Sequence, residues 1–204
     1  MRGAGGAAGV RGTGDRAMAW QGMWGVALAC VLAAGPARAA QFEITVVPAE
    51  AALQVTGRIG PRFAARVEAA LDAHPATRVL VVRSRGGLLH EARKVATLLN
   101  ARGIAIRAEG RCASACAVLW AATDARELTA DARLGLHRST WPVPLPAPLR
   151  AFAEKRSDRA NVRTFLDAGF SAALARRAAE TPSSSMYWIG ALELQQERVS
   201  FALE

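Results

Sequence analysis

The chain has 204 residues and a mass of 21.5 kDa, room for one domain or for one domain behind a targeting segment. Hydrophobic residues make up 51% and charged residues 21%, which supplies a core and excludes wholesale disorder; three cysteines are too few for a disulfide-built miniprotein or an all-Cys zinc site. The formal charge of +9 comes from 24 Arg and 2 Lys against 17 acidic residues, yet no basic run exceeds two (Arg176–Arg177), so no stripe that reads phosphate is present and no nucleic-acid partner is expected.

Residues 1–25 are rich in Gly and Ala and carry Arg2, Arg11 and Arg16. A nine-residue apolar run follows, Val26 to Ala34, and then Gly35-Pro36-Ala37-Arg38-Ala39. A basic region, a short apolar region and an Ala-x-Ala site in that order form a secretory signal peptide over residues 1–40. The apolar run is shorter than the roughly 20 residues of a spanning helix, so no membrane span is expected after cleavage; an uncleaved N-terminal anchor is the alternative. Met18 or Met23 as the start would give a signal of conventional length. Cys30 leaves with the signal, since Ala27-Leu28-Ala29 is a poor lipoprotein match. The mature domain is then 41–204, exported to the periplasm. Loss of four Arg and one Asp takes its charge from +9 to +6, and export places the two remaining cysteines in an oxidising compartment.

Along the mature chain, Phe42–Val47 and Ala52–Ile59 alternate apolar and polar residues as strands do. Pro61 opens a helix with Phe63, Val67, Ala70 and Leu71 on one face. Arg78–Arg83 holds a continuous apolar run, the pattern of a strand covered on both faces. Leu88–Arg102 has helical period and Gly103 ends it. Ile104–Ala108 reads as a strand and Ala113–Ala122 as a buried helix. Glu127–Thr129 and Arg133–His137 are short strands, and four prolines in Pro142–Pro148 mark a loop. Helices over Leu149–Ala168 and Ser171–Glu180 come next, then a turn at Pro182–Ser185, a short helix and a last strand at Arg198–Leu203. Repeated strand–helix units predict an α/β fold with right-handed crossovers and a mainly parallel sheet, in a single domain.

Three segments carry groups that chemistry needs. Ser84-Arg85-Gly86-Gly87 lies between a strand and a helix, where paired glycines let backbone N–H groups approach a developing oxyanion; an ordinary strand-to-helix turn has the same pattern. Gly110-Arg111-Cys112-Ala113-Ser114-Ala115-Cys116 places a serine at a helix start, the position of a nucleophile or of a helix cap. Leu134-Gly135-Leu136-His137 ends a strand on a histidine, a base or a satisfied core residue. All three fall at C-terminal strand ends, where parallel sheets gather ligands. They are 27 residues (Gly87 to Ser114) and 23 residues (Ser114 to His137) apart, one crossover each. Together they supply a nucleophile, a base and oxyanion donors.

The ordered set Ser84-x-Gly86-Gly87, Cys112-Ala-Ser114-Ala-Cys116 and Gly135-Leu-His137 resembles the Clp protease proteolytic-subunit clan of the crotonase-like superfamily, in its secreted bacterial branch. The resemblance covers about Leu53 to Val199. It implies a ββα-spiral fold, Ser114 as nucleophile and His137 as general base. It also implies an oxyanion hole at the Gly86–Gly87 turn with the N–H groups of Gly87 and Ala115, a peptide or protein substrate and no cofactor. A homo-oligomer is implied as well, with Leu149–Glu180 in the place of the family's helical handle. Two positions depart from the pattern. Arg85 stands where the family has proline, and Ser183-Ser184-Ser185-Met186 stands where the triad acid belongs. Asp158 and Asp167 precede that stretch without any sequence signal placing either at His137, and the third catalytic residue stays unassigned.

Cys112 and Cys116 do not make a metal site, since two thiols and His137 lack a fourth ligand. They are either buried small hydrophobes or, with Cys112 outside the helix, a disulfide across the serine turn. The expected activity is that of an exported serine hydrolase, a peptidase; the missing acid supports the alternative of a non-catalytic binding or scaffolding module on the same fold.

Overall fold

The computed structural model of the chain describes residues 42–141 and 144–204. The signal segment, Cys30 and Pro142 lie outside the described residues. Strands β1 (Phe42–Val47) and β2 (Ala52–Gly57) form an antiparallel hairpin. From β2 the chain winds through α1 (Phe63–Ala73), β3 (Val79–Ser84), α2 (Leu89–Arg102) and β4 (Ala105–Ala113), with β2, β3 and β4 paired in parallel. Then come α3 (Ala115–Ala122), β5 (Arg126–Leu128), β6 (Arg133–Leu136), α4 (Ala147–Asp167), α5 (Ala172–Glu180), β7 (Tyr187–Gly190), α6 (Ala191–Gln196) and β8 (Ala202–Leu203). Only the β1–β2 and β6–β7 pairings are antiparallel, so the α/β sheet is mixed and mostly parallel.

The continuous apolar run of β3 is buried on both faces. Leu80 and Val82 enter the main core with Phe63, Leu99 and Trp120, while Val79 and Val81 join Ala52 in a small cluster of their own. Arg107 sits opposite Val81 in the β3–β4 register and binds Glu127 at 2.8 Å and Glu50 at 2.9 Å, tying the hairpin turn and β5 to the middle of β4.

Strand β4 runs five residues past the expected end at Ala108, through the polar Glu109-Gly110-Arg111. Its first half pairs with β5 (Ile106 opposite Arg126) and its second half with β6 (Cys112 opposite Leu134, Ala113 opposite Gly135), so the sheet forks along this strand. Hydrogen bonding to a partner strand outweighs the break in apolar pattern there. The helix expected over Ala113–Ala122 accordingly starts at Ala115. Strand β2 ends at Gly57, and Ile59 instead forms an isolated bridge to Gly87. The four-residue strand β7, which the sequence reading did not contain, adds to the far side of β6.

Helix α1 begins at a residue in left-handed conformation, Arg62, whose side chain provides no cap. Its second-position N–H is taken instead by α2: Glu91, 5% exposed, accepts from Ala64 N at 2.9 Å and pairs with Lys94 at 3.2 Å. Burial disfavours the Glu91 carboxylate, but the Ala64 N–H, Lys94 and His90 outweigh it and hold the carboxyl below its ordinary value of 4.5. Among the described residues no helix is long and apolar enough to cross a membrane.

Because the folded carboxyl is the stronger acid, its contribution to stability is complete above the ordinary carboxyl value and is lost as pH falls through the folded one. Glu91→Ala should lower stability by about 2 kcal/mol at pH 7, the worth of a charged hydrogen bond. Denaturant unfolding at pH 7 and pH 3 should show the gap between wild type and variant shrinking at the lower pH.

Candidate active site

At the end of β4 the chain must leave the sheet and enter α3 within one residue. Ser114 does this at φ 57 and ψ −123, a backbone conformation that costs about 1–3 kcal/mol in a residue with a side chain. Two backbone bonds hold it: its N–H donates to Gly135 O at 2.8 Å, and its carbonyl accepts from Val118 N at 3.2 Å, opening the helix. The side chain makes no capping bond to α3, so the hydroxyl is not used as a helix cap. On either side, Cys112 in β4 and Cys116 in α3 are joined in a disulfide with 5.2 Å between Cα atoms, both fully buried. The 5.2 Å Cα spacing is within the usual range of a bridge, and with Cys112 in the strand rather than the helix its side chain can turn toward Cys116.

The Gly86–Gly87 turn lies directly against this serine. A Cβ on Gly86 (φ 88) would stand 2.7 Å from Ser114 Cβ and 2.9 Å from Ala115 N, so only glycine allows the two turns to meet. Its N–H is engaged by the buried Ser84 Oγ at 3.0 Å, and its carbonyl accepts from Ile59 N at 2.9 Å. The Gly86 N–H is therefore already taken up by Ser84, and the residue sets the approach of the two turns. The N–H groups of Gly87 and Ala115 meet no acceptor among the described residues, and that of Ala115 opens α3, where the helix dipole adds positive potential.

His137 follows β6 directly. Its Nδ1 lies 2.7 Å from the Arg138 carbonyl oxygen. A carbonyl can only accept, so Nδ1 carries the hydrogen and a neutral ring presents its lone pair at Nε2, the tautomer a general base needs. No carboxylate contacts the ring among the described residues. Asp158 accepts instead from Ser139 N at 2.6 Å, two residues beyond the histidine. Asn161 donates to Ser139 Oγ and accepts from Arg93 at 2.8 Å, so α4 and α2 together brace the loop that carries His137. Asp167 is at the surface near Arg163, and Ser185 Oγ turns back on Pro182 O at 3.3 Å.

Ser114, Gly86, Gly87 and His137 line one open cavity of about 870 Å³, although no hydrogen bond joins Ser114 to the imidazole. No cluster of His, Cys, Asp or Glu suited to a metal ion occurs among the described residues. The chain matches no known family model and no curated protein.

Two features escaped sequence reasoning. The Arg138 carbonyl has no side-chain signature at all. The brace on Ser139 had one: Asp158 and Asn161 are three apart and so share one face of a helix, beside Ser157, whose hydroxyl also bonds Ser139.

If the serine turn is strained, Ser114→Gly should stabilise the protein by about 1 kcal/mol relative to Ser114→Ala. Replacing both Cys112 and Cys116 by Ala should cost about 2 kcal/mol, the entropy of so short a loop. Thermal or urea unfolding of the three variants checks both; equal stability of the Gly and Ala variants would remove the strain.

Proposed function

We propose that the chain is an exported serine hydrolase acting on peptides, with Ser114 as nucleophile, His137 as general base and the N–H groups of Gly87 and Ala115 as oxyanion donors. The observation that carries this reading is the contact of the Gly86 turn with the Ser114 turn, which brings two N–H groups without an acceptor among the described residues close to a serine hydroxyl that does not cap α3. Ser114 Oγ attacks the substrate carbonyl carbon while its proton passes to His137 Nε2, and the carbonyl oxygen takes the negative charge between the two donors. Collapse breaks the C–N bond, and the leaving amine takes the proton back from the imidazolium. Water, losing a proton to His137, then attacks the acyl-serine and releases the acid and the free hydroxyl.

The ordered residues, the fork of the sheet at β4 and the serine turn fit the Clp-like, crotonase-related fold that the sequence resembles. Export fits the Cys112–Cys116 disulfide, since such bonds persist in oxidising compartments. A homo-oligomer fits α4, which leaves Leu149 57% and Phe152 66% exposed.

A second reading, a non-catalytic binding module, draws on the His137 ring. Its Nδ1 partner is a neutral carbonyl, which orients the imidazole but gives an imidazolium no counter-charge.

Fluorophosphonate labelling of protein exported to a bacterial periplasm separates the two. Labelling that falls by about 10²-fold or more in both Ser114→Ala and His137→Ala is expected. Folded wild type that takes no label would favour the binding module.

A further inference from the structure

Arginine is 24 of the 204 residues but four of the fourteen that line the cavity, and Asp131 is the single carboxylate among them. The four come from separate segments: Arg58 after β2, Arg83 near the end of β3, Arg85 in the glycine turn and Arg111 in β4. Two are engaged. Arg83 lies 3.8 Å from Glu109, and Arg111 stacks 5.6 Å over the ring of Trp188. Arg58 and Arg85 are exposed and meet no carboxylate, carbonyl or ring among the described residues.

These two flank Gly87. The Arg58 Cγ lies 3.2 Å from where a Cβ on Gly87 would stand, and Arg85 is two residues before it in the chain. The stem of Arg58 thus passes close to Gly87, and both side chains line the cavity onto which the Gly87 turn and Ser114 open. Guanidinium stays ionised at any working pH and presents a planar fork that matches a carboxylate. A concave wall of one sign also concentrates ligands of the other.

We infer that the cavity selects acidic peptides, with Arg58 and Arg85 engaging carboxylates next to the bond that Ser114 attacks; this rests on the hydrolase reading. At roughly 6 Å and an effective dielectric of about 40, one such pair corresponds to about tenfold in affinity. The interaction weakens as the screening length falls from about 10 Å at 0.1 M salt to about 3 Å at 1 M.

The test uses the exported chain carrying Ser114→Ala and two fluorescein-labelled peptides that differ only in Glu or Gln at alternate positions, with binding read by fluorescence anisotropy. The Glu peptide should bind at least about tenfold more tightly at 0.1 M salt, and the preference should largely vanish at 1 M. Arg58→Gln and Arg85→Gln should each cut the preference severalfold. Cleavage of a matching fluorogenic pair by wild type should show the same bias. Equal binding of both peptides overturns the inference. So does equal loss of Glu- and Gln-peptide cleavage in the arginine variants, which would make the arginines general partners of the oxyanion. Competition by an oligothymidylate as strong as by the Glu peptide also overturns it, by showing a polyanion surface. Fluorophosphonate labelling of Ser114 without peptide preference would sink the inference alone; preference without labelling would sink the hydrolase reading alone.

Discussion

The site depends on one close backbone approach, that of Gly86 to the Ser114–Ala115 turn. Nothing larger than a hydrogen fits between them, and both turns hold φ above zero to meet there. The approach is made possible by the fork in β4. Where its first half pairs with β5 and its second with β6, the strand end is carried to Gly135, whose carbonyl receives the Ser114 N–H. Gly135 itself has no room for a side chain, because Ala113, Met186 and Trp188 crowd it. Two glycines, Gly86 just after β3 and Gly135 in β6, thus decide whether a serine, two N–H groups and a histidine share a wall.

Strain of this kind persists only when the surroundings over-determine it. Around Ser114 they do so four times: β6 takes its N–H, α3 takes its carbonyl, Gly86 packs on its Cβ, and the disulfide ties the strand before it to the helix after it. The disulfide closes so short a loop that its entropic contribution, about 2 kcal/mol, is near the low end for such bonds. It also acts locally, since it spans the one residue that changes direction.

The alternating strands, the amphipathic helices and the glycine stop at Gly103 were legible because each rests on a short-range pattern. The course of β4 was not. Glu109-Gly110-Arg111 reads as a loop, and only pairing with a strand more than twenty residues later makes it sheet. The same pairing decides the cysteines: with Cys112 in a strand the two side chains can meet, whereas both in one helix would hold their Cβ atoms about 5–6 Å apart, beyond the roughly 4.5 Å a bridge spans. Strand β7 was lost for a similar reason, being four residues whose partner is far away. The three site segments could be picked out by residue type, but whether their groups face one another is a property of the fork.

The histidine shows how a fold can meet half of a requirement. A triad acid does two things: it fixes the tautomer and it balances the charge that forms on the ring. The Arg138 carbonyl does the first, and its position is secured by its own N–H bond to Thr181 O at 2.9 Å and by the Asp158–Ser139 contact just beyond. It does not do the second. The cavity wall adds to that deficit, because it carries four arginines against one carboxylate, Asp131. An acidic substrate resolves both problems together, since its carboxylates would offset the guanidiniums and lower the cost of charging the ring. On the proposed reading, then, the missing acid and the surplus arginines belong to one arrangement, in which part of the negative charge that catalysis needs arrives with the peptide.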